Sequence, residues 1–278
     1  MRGMLMMVCG LAAVAVLLGG CARNAATGRM QFNQLSTQQE IALGQQSARE
    51  VLQQERRLGD EVVQGYVSRV GMELTRHVEG EYRDLPWSFV VIDSDQVNAF
   101  ALPGGPIFLY RGLLERMTNE DQLAAVLAHE IGHVVGEHAD DRISRAMIAQ
   151  GLVTAAGIGA GVATENESLI PLIVGAGGAG SSLYILSYSR EQEAEADALG
   201  MRYMTRGGWN PEGMLQLMEI VRDASEGGRP PEYLSTHPHP ETRIRVIVEG
   251  LRGPYREVAT RAMTVEPFER NVLSRLGG

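Results

Sequence analysis

The sequence predicts an α+β fold, predominantly helical, with one small β-sheet early in the chain. Three observations carry that expectation. Apolar residues recur at helical spacing over long stretches before and after the middle of the chain. The strand-like runs are few and short, and they fall together between residues 87 and 110. Helix punctuation is frequent, with Ser, Thr and Asn at starts, Pro in first turns and Gly at stops.

The elements follow in order. Ser36 or Thr37 with Glu40 resembles a capping box, opening a polar helix to about Arg57. A second helix runs from Asp60 to about Val78, with Val62, Val63, Tyr66, Val67, Val70 and Leu74 on one side. Trp87 to Ile92, Val97 to Leu102 and Pro106 to Tyr110 read as strands, the last two joined by Pro103-Gly104-Gly105. Thr118 or Asn119 starts the strongest helix, expected through about His138, and another covers Asp141 to Val162. Ser182 to Arg206 reads as helical, stopped by Gly207-Gly208. Pro211 opens a helix to about Ala224 and Pro240 one to about Leu251, with a tail helix over Pro267 to Leu276. Gly151 to Tyr188 is rich in glycine and small apolar residues; it reads either as two tightly packed core helices or as a mobile lid or membrane-facing plug.

The chain has 278 residues, 44% hydrophobic and 21% charged, enough to bury a core without metal or disulfide staples. Its formal net charge is −9, and all 25 basic residues are Arg. An acidic chain with scattered Arg argues against nucleic-acid binding. The absence of Lys excludes Schiff-base chemistry and a Lys general base.

The first residues read as an address. Met1-Arg2-Gly3 gives a positive start, and an apolar run from Met4 to Leu18 is too short for a comfortable membrane span but suits a signal sequence. Leu18-Gly19-Gly20-Cys21 resembles a bacterial lipobox, so Cys21 is expected to be lipidated and to begin the mature chain. Ala22 after it, with no Asp there, suggests outer-membrane sorting and a periplasmic location. The expected division is 1–20 signal peptide, 21–35 lipidated tether and 36–278 a single folded domain. Cys9 would be discarded, leaving no partner for a disulfide within one chain.

The chemistry centres on Leu127-Ala128-His129-Glu130-Ile131-Gly132-His133. Four residues turn a helix about 400°, so His129 and His133 project from one face and can share a Zn²⁺. Glu130 lies round the helix, placed to take a proton from water rather than to bind the metal. With 6 His in the chain, chance matches to this pattern number about 0.01. Zinc needs a third protein ligand, and the segment Ser189 to Asp197 offers candidates. Glu193 could bind the metal, and Asp197, one turn on, could accept an N–H from a ligand His. Glu191 and Glu195 read as solvated charge, His138 as structural, and His77 and His239 as incidental.

His-Glu-x-x-His followed about 60 residues later by Glu-x-x-x-Asp resembles the M48 zinc metallopeptidases. Asn98 to Gly105 is similar to that family's strand–glycine segment, Ser189 to Asp197 to its third-ligand helix, and Thr236-His237-Pro238 with Arg243 to its downstream motif. The lipobox start resembles the family's bacterial periplasmic lipoprotein branch. The resemblance spans about Ser36 to Leu251. It implies a zincin-type metallopeptidase fold with a small sheet beside the zinc helix, one Zn²⁺ per chain held by His129, His133 and Glu193, and Glu130 as base. His237 could stabilise the oxyanion with Arg243 as a second positive group, or could occupy the fourth zinc position and hold a latent state; a turn-capping role is the plain alternative. The strand at Asn98, Ala99, Phe100 and Ala101 offers an edge for an extended peptide, or is simply a core strand.

The expected function is a zinc-dependent endopeptidase acting on misfolded or stalled cell-envelope proteins, anchored by lipid to the outer membrane, possible partners being outer-membrane assembly proteins. The alternative is a zinc-containing chaperone or binding module in outer-membrane protein assembly, with latent or no proteolysis.

Overall fold

A computed structural model describes residues 21–32, 35–145, 187–225, 231–238 and 240–276. Two strands, β1 (Cys21–Arg23) and β2 (Met30–Phe32), pair antiparallel where the sequence suggested only a tether. Helix α1 (Thr37–Gln54) is capped by Ser36, but the reciprocal residue of its capping box is Gln39 rather than Glu40. Asp60 caps α2 (Glu61–Thr75), accepting from the Val62 and Val63 amides. Five of the six residues expected on its inner side are buried; Val62 is 45% exposed, because it lies at the edge of that stripe.

Strands β3 (Ser88–Ile92), β4 (Ala99–Ala101) and β5 (Pro106–Tyr110) form a sheet in the order β3-β5-β4, with β3 parallel and β4 antiparallel to β5. The two-residue period sorts its side chains. Phe89, Val91, Ala99, Ile107 and Leu109 join the main core with α2, while Ile92, Phe100, Phe108 and Tyr110 form a second cluster with Val51 of α1. Short turns α3 (Gly80–Arg83) and α4 (Arg111–Leu114) flank the sheet.

Asn119 caps the central helix α5 (Glu120–Val135), which is buried on nearly every side. Its acidic first turn favours the positive end of the helix dipole, and each carboxylate is also bonded. Glu120 accepts from the Trp209 indole at 2.9 Å and Asp121 from the Asn210 amide at 2.7 Å. The helix ends three residues earlier than expected, at Val135. Glu137 has φ 53°, a left-handed conformation, and helix resumes over 138–145; the rest of the helix expected to Val162 lies outside the described residues. Most of Gly151–Tyr188 also lies outside them.

A true capping box at Ser189 opens α6 (Arg190–Gly207), and Gly208 at φ 89° closes it. Residues 187–189 before it are extended, so the helix starts later than Ser182. Then follow α7 (Glu212–Ser225), the short α8 (Glu232–Thr236) and α9 (Pro240–Arg252). The tail is helical as expected but passes through a π-helical turn at Glu269–Leu273.

Helices α5 and α6 cross at glycines. A Cβ on Gly132 would lie 2.7 Å from the Ala196 carbonyl oxygen, and one on Gly200 3.2 Å from the backbone at Ala128 and His129. Each helix therefore offers a glycine against an alanine of the other, and the backbones approach closely. Gly132→Ala tests this contact. Helix propensity alone favours Ala by about 1 kcal/mol, whereas overpacking costs about 1–3 kcal/mol. A lowered urea midpoint is expected; a raised one would show that the helices separate without cost.

Candidate metal centre

The crossing of α5 and α6 brings four donors from three parts of the chain together. Ligand-capable atoms of His129, His133, Glu193 and His237 all lie within 4.8 Å of one another, and all four residues are buried. His129 and His133 sit one turn apart on α5, and their Nε2 atoms are 3.1 Å apart. Glu193, in the first turn of α6, places Oε1 3.4 Å from His133 Nε2 and Oε2 3.6 Å from His129 Nε2. His237, just past α8, brings Nδ1 to 3.0 Å from Glu193 Oε1 and 3.2 Å from His129 Nε2. Its ring stacks on Tyr233.

The surrounding groups account for the outer nitrogens. His129 Nδ1 lies 2.9 Å from Asp197 Oδ1, so its proton belongs there and Nε2 keeps a lone pair. Arg243 clasps Asp197 through Nε at 2.8 Å and Nη2 at 2.6 Å, and turns Nη1 to Glu193 Oε2 at 2.8 Å. The sequence placed Arg243 beside His237 as a second positive group. In the structure its guanidinium is engaged by these two carboxylates.

The electrostatics suit a cation. Burial holds the His133 imidazole well below its ordinary value, so it is neutral. Burial alone would raise Glu193, but His237 and Arg243 outweigh it and hold the carboxyl well below the usual range. Asp197 is likewise lowered, its burial outweighed by Arg243. Three imidazoles and an ionised carboxylate within such a distance form a donor set that could hold a metal ion.

Glu130 stands apart from the donors. It is fully buried, neither oxygen accepts a hydrogen bond from the described residues, and His237 Nε2 lies 3.5 Å from its Oε1. Desolvation raises its pKa. A buried carboxyl without a hydrogen-bond partner is costly to keep, and proton transfer at this site is a role that would retain it.

Beside the donors, β4 has one paired neighbour, β5, among the described strands, and so forms a sheet edge. Asn98, Ala99 and Phe100 are buried and Ala101 is partly so. Both polar atoms of the Asn98 amide lack partners among the described residues.

Three features escaped the sequence reading. His138 lies with Nδ1 2.9 Å from His133 Nδ1, although it was expected to be structural. Glu195, read as solvated charge, is 3.0 Å from His138 Nε2 and 3.2 Å from Arg29. Tyr188 stacks on His133 with ring centroids 3.8 Å apart. The run of carboxylates after Ser189 was the available signal for Glu195; nothing in the sequence marked the backbone turn that brings His138 back.

Glu40, on α1, joins Glu137 around a small cavity that also touches His133 and Tyr188. Burial, then the charges of Asp140 and Glu137, push its carboxyl up to about 8. The folded chain thus holds a proton that the unfolded chain releases above about 4.5. That contribution to stability is full below the unfolded pKa and is lost as pH rises toward 8, at no more than about 1.4 kcal/mol per pH unit. Urea midpoints measured at pH 5.5 and 8.5 are expected to fall less in Glu40→Gln than in the wild type; equal slopes would refute the assignment.

The model of the peptidase family M48 matches residues 61–250. The chain is similar to the "Beta-barrel assembly-enhancing protease" of Escherichia coli (strain K12), 33% identical over 225 residues, which are 76% of this chain and 43% of that protein. It is similar also to the "Mitochondrial metalloendopeptidase OMA1" of Schizosaccharomyces pombe, 34% identical over 235 residues, covering 81% of this chain and 65% of that one. A third relative, "Metalloendopeptidase OMA1, mitochondrial" of Bos taurus, is 32% identical over 178 residues, 61% of this chain and 34% of that one. The chain thus spans about half the length of the curated relatives it matches.

Proposed function

The chain belongs to peptidase family M48, and from that premise we propose that it is a zinc-dependent endopeptidase acting on misfolded or stalled proteins of the cell envelope. The observation that carries the reading is the convergence of His129, His133 and Glu193 beside a buried Glu130 with no hydrogen-bond partner among the described residues. His129, His133 and Glu193 would hold one zinc ion. Zinc bound there supplies a Lewis acid for the scissile carbonyl and makes water more acidic.

Glu130 takes the proton from the attacking water and delivers it to the leaving amine. Its desolvation suits this task, because burial raises its pKa and makes the carboxylate a stronger base. Asp197 holds His129 in the tautomer that leaves Nε2 free, and Arg243 holds Asp197 and Glu193 in place. The substrate backbone pairs with the edge of β4 from Asn98 to Ala101, where the buried Asn98 amide, without a partner among the described residues, offers both a donor and an acceptor.

His237 supplies a fourth donor in this conformation, and the reading it supports is a latent state that substrate opens. The alternative, a zinc-containing binding module, also draws on this fourth donor, since a closed four-ligand site is inert. Lipidation at Cys21 and the outer membrane as anchoring site follow from the lipobox-like sequence. Among the described residues no helix is long and apolar enough to cross a membrane. The printed name of the Escherichia coli relative supports outer-membrane assembly proteins as substrates or partners.

Casein turnover by zinc-loaded wild type and His237→Ala tests these readings. A several-fold rise in the variant, with zinc retained, is the expected result. A loss of about 10²–10³ would instead give His237 the oxyanion role. No turnover by either protein, despite stoichiometric zinc, would favour the binding module.

A further inference from the structure

We propose that His138 is a positioning residue for the metal centre, fixing the tautomer and orientation of His133, with Glu195 and Arg29 holding it from behind. The inference rests on the reading of His133 as a zinc ligand. It begins with a proton count. Glu195 Oε2 lies 3.0 Å from His138 Nε2. A carboxylate only accepts, so that nitrogen carries a proton. In the tautomer that sets this proton on Nε2 the lone pair is on Nδ1, which lies 2.9 Å from His133 Nδ1. His133 must donate across that contact, and its remaining lone pair is fixed on Nε2. That is the atom facing His129 Nε2 and Glu193.

The arrangement mirrors that of the other imidazole. His129 reaches a carboxylate–arginine pair directly, Asp197 with Arg243. His133 reaches a second such pair through one intervening ring: Glu195 with Arg29 at 3.2 Å. Both carboxylates stand on α6, two residues apart. Partners of this kind orient ligand imidazoles and raise their basicity.

The backbone is shaped for the contact. In an unbroken helix His138 would stand about 500° round from His133, on another face. The helix breaks at Gly136, and Glu137 takes its left-handed conformation, which folds the ring back. A Cβ at Gly136 would lie 2.5 Å from His138 Nε2, so the ring occupies space that any other residue would fill. The hairpin of β1 and β2 holds this turn from outside: Asn24 donates to the Val135 carbonyl at 2.8 Å and Gln31 to that of Gly136 at 2.6 Å. His138 itself is 1% exposed.

The test is zinc affinity, measured on the full chain by competition with a chromogenic chelator, together with melting of the metal-free protein. His138→Ala should weaken zinc binding about 10–100-fold while the metal-free melting temperature stays close to wild type. His138→Asn, whose Oδ1 stands where Nδ1 stood and can accept, should recover most of the loss. Glu195→Ala should shift affinity in the same direction and decides the matter should His138→Ala fail to fold. Wild-type affinity in the Ala variants, or an Asn variant no better than Ala, overturns the proposal while leaving the metal reading intact. A wild type that binds no zinc overturns both.

Discussion

Replacing Glu130 with glutamine is expected to cut peptide hydrolysis by about 10²–10⁴-fold, the usual worth of a positioned general base, while the protein still binds one zinc. The expectation separates two jobs that neighbouring residues perform. His129 and His133 face the donor cluster, but Glu130 turns aside, with neither oxygen hydrogen-bonded among the described residues and His237 Nε2 3.5 Å from Oε1. Glutamine keeps the shape and the burial and removes the proton acceptor. It also removes a carboxyl that burial disfavours as an anion, so the variant should melt no lower than the wild type. Undiminished casein turnover at equal zinc content would remove Glu130 from the mechanism. Loss of zinc along with activity would make it part of the binding site instead.

Arg243→Ala should have the largest effect on stability. Arg243 is buried and contacts Asp197 through two nitrogens and Glu193 through the third. Removing one partner from a buried ionic network strands the others in a poor dielectric, at a cost of about 3–5 kcal/mol. For a chain of this size that corresponds to a fall of about 10 °C in melting temperature. Arg243→Lys should not rescue it, because a single ammonium cannot reproduce a planar fork across two carboxylates. Zinc present in excess should recover part of the loss, since a cation at the donors offsets the stranded charge. Melting within 2 °C of wild type would place the guanidinium outside the network.

What was legible in the sequence was whatever depends on fixed helical spacing. His129 and His133, and then Glu193 and Asp197, are pairs at i and i+4, and each pair lies within one helix, α5 and α6. Family resemblance added His237 and Arg243, because no local periodicity links residues so distant from α5. Backbone irregularity was not legible. The break after Val135 depends on the φ of Glu137, and with the helix assumed to continue, His138 pointed away from the site. The hairpin at Cys21–Phe32 was missed because strands of three residues show no alternation. Val62 carried the right chemistry for the core and still faces water, since an apolar stripe has an edge that composition does not mark.

The contact of Gly132 with Ala196, and of Gly200 with Ala128, bears on how such a site can change over generations. Registry between the two helices is keyed where they touch, by the absence of two methyl groups. One added carbon at either keyed position would push the two backbones apart and carry the donors on them out of line, so variation is penalised where the helices meet.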